Sequence, residues 1–142
     1  MTMSHEQSEA LLARPLVAVL STVDAAGNPR TAPVWFHWED GAAYVFTGRA
    51  TLKWRNLQRH PYASLCIDER EPPYSGVILD GPIEESDRSM HELVLGMALR
   101  YYGEERGRPF AEAYREGGSA AANAVAFKLT PDRVYTWRSD SY

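Results

Sequence analysis

Four cations set close together, Arg49, Lys53, Arg55 and Arg59, are the residues of this chain whose spacing points most directly to chemistry, and the chemistry is the holding of an anion. Between Gly41 and Ile67 the sequence contains no Asp or Glu, although the whole chain carries 19 acids against 15 bases and a net charge of −4. Thr51 to Arg59 reads as a short helix ended by Pro61, with Ala50, Trp54 and Leu57 spaced to face a core. Lys53 and Arg55 then fall in its first turn, where a cation opposes the helix dipole at a cost of up to ~1 kcal/mol. A bound phosphate or carboxylate reverses that cost, because the free N–H groups at a helix start point at it. Thr47, Gly48 and Thr51 add a close-approaching loop and two hydroxyl donors. The competing reading of the same charges is a solvated basic face. The exclusion of acids and the first-turn placement favour the anion.

Other chemistry is poorly represented. There is no GxSxG, no GxGxxG after a strand, no Walker loop and no HExxH. Cys66 is the only cysteine, so no intrachain disulfide and no thiolate cluster for zinc is expected. His5, His37, His60 and His91 are scattered without metal-ligand spacing, and no metal site is expected. Asp24, Glu39, Asp40 and Glu84 read as turn and surface acids, and His37 as a sheet histidine. No catalytic side chain can be named from the sequence. One basic cluster on an acidic chain argues against nucleic acid, which needs a broad basic footprint. Pro15 to Leu20 is too short an apolar run to span a bilayer, and Glu6 and Glu9 precede it where a signal peptide would be basic. The expectation is therefore a cytoplasmic protein, with no membrane partner, that takes a small anionic ligand and lets that ligand carry the reaction.

The elements that must position these residues suit one domain of 142 residues. A helix over about 5–14 covers one end of a sheet. The barrel strands occupy about 15–84 and 124–138: a buried strand over 15–23, a turn at Asp24-Ala25-Ala26-Gly27-Asn28-Pro29, a strand from Arg30 through Trp38, one over 43–47, one over 62–68, and a long one over 74–84 that bends at Gly81-Pro82. Pro33 cannot donate to a ladder, so its strand is an edge or has a local break. A helical insertion over about 86–117 holds one helix capped at Ser86 and a second starting at Pro109. The chain then closes on a hairpin turning at Thr130-Pro131-Asp132. Six or seven antiparallel strands with flanking helices make an α+β barrel.

Four stretches, LSTVDAAGNPRTAPVWF, TGRATLKWRNLQRHPYASLCID, GVILDGPIEE and LTPDRVYTW, resemble in order and spacing the pyridoxamine 5′-phosphate oxidase-like split-barrel family, whose members bind FMN or the deazaflavin F420. The resemblance covers about residues 14–138 and implies a split β-barrel. It implies that Thr47, Arg49, Thr51 and Lys53 hold the cofactor phosphate and that the ring lies along Pro33, Val34 and Trp35. It also implies a homodimer with cofactor at the interface, where Trp137 or Arg138 reaches the partner's site. The longer C-terminal extension of true pyridoxamine phosphate oxidases, with its Arg/His motif, is not present. The compact form with KWRNL more closely resembles actinobacterial F420-dependent reductases, in which Arg55 and Arg59 would meet the acidic glutamyl tail. The implied function is hydride transfer between F420 and a small unsaturated or quinone-like molecule. The alternatives are an FMN-dependent oxidoreductase and a non-catalytic flavin, deazaflavin or haem carrier. An apolar cleft lined by Trp35, Phe36 or Tyr74 is expected to take the substrate.

Overall fold

Eight strands and four α-helices organise residues 1–139, which the computed structural model describes. The first helix, α1 (His5–Leu12), opens on a capping box: Gln7 N–H donates to Ser4 Oγ at 3.1 Å, and Ser4 N–H donates to Gln7 Oε1 at 2.8 Å. Both donors would otherwise lack partners. It stops at Leu12 rather than Arg14, because the residue before a proline is pushed out of helical backbone and Arg14 precedes Pro15.

Strand β1 (Ala18–Val23) pairs with β2 (Pro29–Val34) through a tight turn. In that turn the Asp24 carboxylate accepts from the Ala26 and Asn28 N–H groups, and Gly27 takes φ +85°. The sequence reads 30–38 as one strand. The structure breaks it at Trp35-Phe36, so that β3 (His37–Glu39) follows as a separate strand and seven strands become eight. The Asp40-Gly41 turn, positive φ at both residues, carries β3 into β4 (Ala42–Gly48); that conformation matches the strand twist and suits glycine. Next come α2 (Leu52–Arg59), β5 (Tyr62–Glu69) and β6 (Ser75–Glu85). Helices α3 (Met90–Tyr102) and α4 (Glu104–Glu112) form a hairpin. β7 (Ala124–Leu129) and β8 (Arg133–Arg138) end the described chain.

The strands run in the order β2-β1-β5-β6-β7-β4-β3, all antiparallel, with β8 also on β6. The two edge strands, β2 and β3, are consecutive in sequence. The sheet therefore curls until its edges meet through Trp35-Phe36, joined by the chain and not by a ladder. This is an antiparallel α+β split barrel, the class the sequence indicated, and Pro33 lies on its edge strand, where a missing N–H costs no ladder bond. Phe36, Phe127, Leu20, Leu65, Leu79 and Val45 are fully buried within it.

Three expectations need correction. β7 and β8 do not form a hairpin: β7 pairs with Ile83–Glu85 and β8 with Ser75–Asp80, so the chain continues along β6 and only breaks step at Thr130–Asp132. A Cβ on Gly81 would lie 2.2 Å from the Thr130 carbonyl oxygen, so the break on one strand is fitted against a bare glycine on the other. Helix α3 is capped by Ser89, not Ser86, because the Ser86 N–H is held by the Ala126 carbonyl at 2.8 Å and so belongs to the sheet margin. Helix α4 begins at Glu104 with Pro109 inside it. The carbonyl that Pro109 leaves without an N–H donor is that of exposed Glu105, so its loss is tolerated.

Candidate functional site

Helix α2 is held by both its ends and its buried face. Trp54 and Leu57 enter the barrel core, worth roughly 1.5–3 kcal/mol each on burial, and the Trp54 ring stacks on Phe127 at 5.7 Å. Ala50, expected on that face, is exposed in the turn before the helix. Its place is taken by Asn56, 1% exposed, which donates to Thr22 Oγ1 at 3.1 Å and accepts from Arg59 at 3.0 Å. Arg59 also donates to the Val23 carbonyl at 2.9 Å, so it is a fastening between α2 and β1 and not a free cation for a ligand tail.

At the other end Thr51 is the N-cap. Its hydroxyl donates to the Gly48 carbonyl at 2.8 Å, accepts weakly from Trp54 N–H at 3.4 Å and lies 3.3 Å from the Thr47 hydroxyl. The first-turn N–H groups of Leu52 and Lys53 have no intrahelical acceptor by helix geometry. No acid occupies that turn.

Lys53 stands beside a cavity of about 340 Å³ with Val17, Pro33, Val34, Trp35, Phe46, Thr47 and Phe110. The cavity lies at the split, where β2 and the far half of β4 face each other without a ladder. A second hollow of about 180 Å³ shares Lys53 and runs back along β2 past Leu52, Ala32, Thr31 and Arg30. Together they make one groove along β2, apolar and aromatic at one end and cationic from Lys53 onward. Lys53 is half-buried and, among the described residues, makes no ion pair. Arg30 is tied to Asp24 at 3.1 Å.

Of the residues singled out by sequence, Pro33, Val34, Trp35, Thr47 and Lys53 line this one cavity, and Thr51 adjoins it through Thr47. Three others stand apart. Arg49 pairs with Glu85 at 2.8 Å on the surface, and its N–H donates to the Asn123 carbonyl. Arg55 is exposed on α2. Trp137 lies over Gly76, where a Cβ would be 2.1 Å from its ring, and does not line the groove of its own chain.

The expected substrate cleft also changes. Phe36 is wholly buried in the barrel, and Tyr74 lines a different hollow beside α1 whose Arg14 is bound to Glu69. The aromatic wall instead comes from Trp35, Phe46 and Phe110. Trp35 stacks on Tyr101 at 4.9 Å with 2° between planes, and meets Tyr102 and Phe110 at 4.9 and 5.3 Å. Tyr101 is fixed in turn by donating to the Leu16 carbonyl at 2.7 Å and accepting from the Phe36 N–H at 3.3 Å. Arg100 beside it binds the Phe36, Ala13 and Arg14 carbonyls. Burial pushes the Tyr101 phenol above its ordinary pKa, with the Phe36 hydrogen bond opposing, and burial raises Tyr114 as well. Both stay uncharged at neutral pH. His37 sits on β3 away from the groove, and burial lowers its pKa against the opposing pull of Glu39. Among the described residues Lys53 is the one titratable group lining the aromatic end of the groove, so that end presents binding and orienting groups and no acid–base pair.

Residues 4–138 match the family described as pyridoxamine 5′-phosphate oxidase. The chain is similar to the pyridoxine/pyridoxamine 5′-phosphate oxidase of Bordetella pertussis, at 30% identity over 92% of this chain and 71% of that protein. Its fold is similar to that of the conserved hypothetical protein Rv2991 of Mycobacterium tuberculosis, with a TM-score of 0.80 and 19% identity over 97% of this chain and 86% of the other. It is also similar to a structure named F420 Reductase, with a TM-score of 0.76 and 23% identity over 92% of this chain and 98% of the other.

Proposed function

The chain belongs to the pyridoxamine 5′-phosphate oxidase family, and from that premise we propose that it is an oxidoreductase that binds F420, with FMN as the alternative cofactor, in the groove along β2. The observation that carries this reading is Lys53: a half-buried cation with no acid partner among the described residues, at a helix start, at the junction of an aromatic cavity and a cationic hollow. When bound, the flavin or deazaflavin ring supplies the hydride chemistry. Lys53 and the first-turn N–H groups of α2 receive the cofactor's phosphate, the Thr47 hydroxyl stands beside them, and Pro33, Val34 and Trp35 support the ring. The apolar lining lowers the local dielectric and so strengthens the attraction between Lys53 and a bound phosphate. F420 is favoured because the hollow beyond Lys53, with Arg30 at its edge, gives room for an acidic tail longer than FMN possesses. The similarity to the structure named F420 Reductase points the same way. A haem carrier is disfavoured, since among the described residues of the chain no His, Cys, Met or Tyr lines the groove to ligate iron.

The functional unit in this reading is a homodimer. Sheet register aligns Pro33, Val19, Cys66, Ile78 and Tyr135 in one row across β2, β1, β5, β6 and β8, on the face opposite buried Leu20, Leu65 and Leu79. The row is apolar, Tyr135 is 47% exposed, and Pro33 belongs both to the row and to the groove. A second copy on this face would cover the row and wall the groove. The deciding experiment is titration of the purified protein with F420 and with FMN separately, followed by turnover with quinone and enone acceptors. Preference for FMN overturns the F420 assignment, and tight binding with no acceptor reduced across a broad panel makes the protein a carrier.

A further inference from the structure

The α3–α4 hairpin lends one side chain to the groove. Phe110 of α4 lines the ring end, while the other lining residues come from the barrel strands, the link between β2 and β3, the segment entering β1, and α2. It is not a loose contributor. The Phe110 ring meets Trp35 at 5.3 Å, Tyr102 at 5.5 Å and Tyr114 at 5.7 Å, so three rings from three parts of the chain fix it. Tyr114 is anchored to the barrel by Phe46 at 5.3 Å. Gly107, one turn earlier, is where α4 touches α3: a Cβ there would lie 2.7 Å from the Ala98 carbonyl, so the two helices are in backbone contact and α4 has little freedom to withdraw. Among the described residues no charged side chain other than Lys53 lines this end, and Lys53 is already assigned to the cofactor's phosphate.

We propose that Phe110 is a specificity-determining residue that selects an uncharged, flat aromatic or quinone-like acceptor, sparing the site any substrate that brings its own phosphate or carboxylate. The proposal rests on the reading of the groove as a flavin or deazaflavin site, and it adds the acceptor's class and the side chain that chooses it. A planar ring laid along Pro33, Val34 and Trp35 leaves Phe110, which comes from a different element, as the aromatic surface available to a second ring. Aromatic pairs prefer offset or edge-to-face contact, a geometry that a neutral planar molecule offers and a hydrated anion does not. An anionic acceptor would be stripped of water at this end with no cation to receive it.

The test separates this proposal from the cofactor assignment by crossing two variants with two ligands. The neutral probe is 2-(hydroxymethyl)anthraquinone, whose ring does not add the Cys66 thiol, and the anionic probe is anthraquinone-2-sulfonate. Binding is measured by equilibrium dialysis in wild type, Phe110→Ala, Phe110→Leu and Lys53→Ala, without and with saturating cofactor, and the melting temperature of each variant is recorded. Phe110→Ala is expected to weaken the neutral quinone about tenfold, Phe110→Leu less, and Lys53→Ala not at all. Cofactor affinity should fall more in Lys53→Ala than in either Phe110 variant. With cofactor bound, the neutral probe should still bind and exceed the sulfonate. Equal affinity of wild type and Phe110→Ala for the neutral quinone, competition between quinone and cofactor, or a preference for the sulfonate in the loaded protein each overturns the proposal. Failure of both cofactors to bind overturns the cofactor assignment instead, and the quinone measurements on the unloaded protein still read Phe110. Should Phe110→Ala not fold, Phe110→Leu, which keeps an apolar side chain of similar reach, decides.

Discussion

Lys53 and Arg49 lie four residues apart and carry the same charge, yet their surroundings give them different work. Arg49 already has the Glu85 carboxylate at 2.8 Å, with both side chains about half exposed, so the pair contributes little to stability and the guanidinium must leave its partner to meet a ligand. Among the described residues Lys53 has no such competitor. Lys53→Ala is accordingly expected to lower cofactor affinity about tenfold to a hundredfold, the loss of one charge-assisted contact. The unliganded protein's melting temperature should stay level or rise slightly, because a first-turn cation is removed. Arg49→Ala should cost less affinity, and the double variant more than either, without strict additivity because both residues would address one ligand. Cofactor titration and thermal melts of the unliganded proteins check all three variants. Unchanged affinity in Lys53→Ala would remove the residue from the site, and a large melting loss would assign it a structural partner.

Helix α2 shows how an element's position is fixed by a polar contact that amphipathic spacing does not announce. Its apolar face is short, Trp54 and Leu57, and Asn56 between them is the buried donor to Thr22 and acceptor from Arg59. Truncation leaves Thr22, 4% exposed, without the Asn56 donor and cuts one of two hydrogen bonds that hold Arg59. Asn56→Ala should therefore cost about 1–3 kcal/mol in urea unfolding. It should also weaken cofactor binding, since Lys53 is aimed by the same helix. A loss of stability with cofactor affinity intact would mean that α2 holds its start independently of its middle. The α3–α4 hairpin follows the same rule at larger size: Tyr101 and Arg100 bind backbone carbonyls at Leu16, Phe36, Ala13 and Arg14, and the hairpin is thereby set against the chain entering β1.

At the scale of the molecule, Trp35 and Trp38 give a lesson about assembly. Sequence alternation puts them on opposite faces of one strand, which suggests that one of them requires a partner chain. The structure accommodates both: Trp35 under the α3–α4 hairpin, and Trp38 against the barrel core with its Nε1–H donating to Glu9 at 2.8 Å. In the proposed homodimer the interface rests instead on the outward row of Pro33, Val19, Cys66, Ile78 and Tyr135. Sedimentation should find a dimer with an interface of roughly 2,000 Å² or more. Ile78→Glu, which sets a carboxylate in the middle of that row, should give a folded monomer with weakened cofactor binding. A wild-type monomer at all concentrations would rule the assembly out, and a dimeric Ile78→Glu would place the interface elsewhere.

The sequence by itself determined the order of most of the elements, an antiparallel α+β barrel, and the acid-free stretch with a cation at a helix start. All of these are written in spacings of two to four residues, in turn chemistry or in local charge. Tertiary structure decided which cation keeps a free charge. Arg49 and Arg59 are each satisfied by groups 36 residues away, Glu85 and the Val23 carbonyl, and no local pattern distinguishes them from Lys53. It also decided that β7 and β8 continue along β6, because a proline-bearing turn reads the same whether the chain reverses or only breaks step. Phe110 carried no signal either: an apolar residue on a short amphipathic helix reads as core. Only the docking of α4 across the split sets its ring opposite β2, where a cavity remains because two edge strands meet without a ladder.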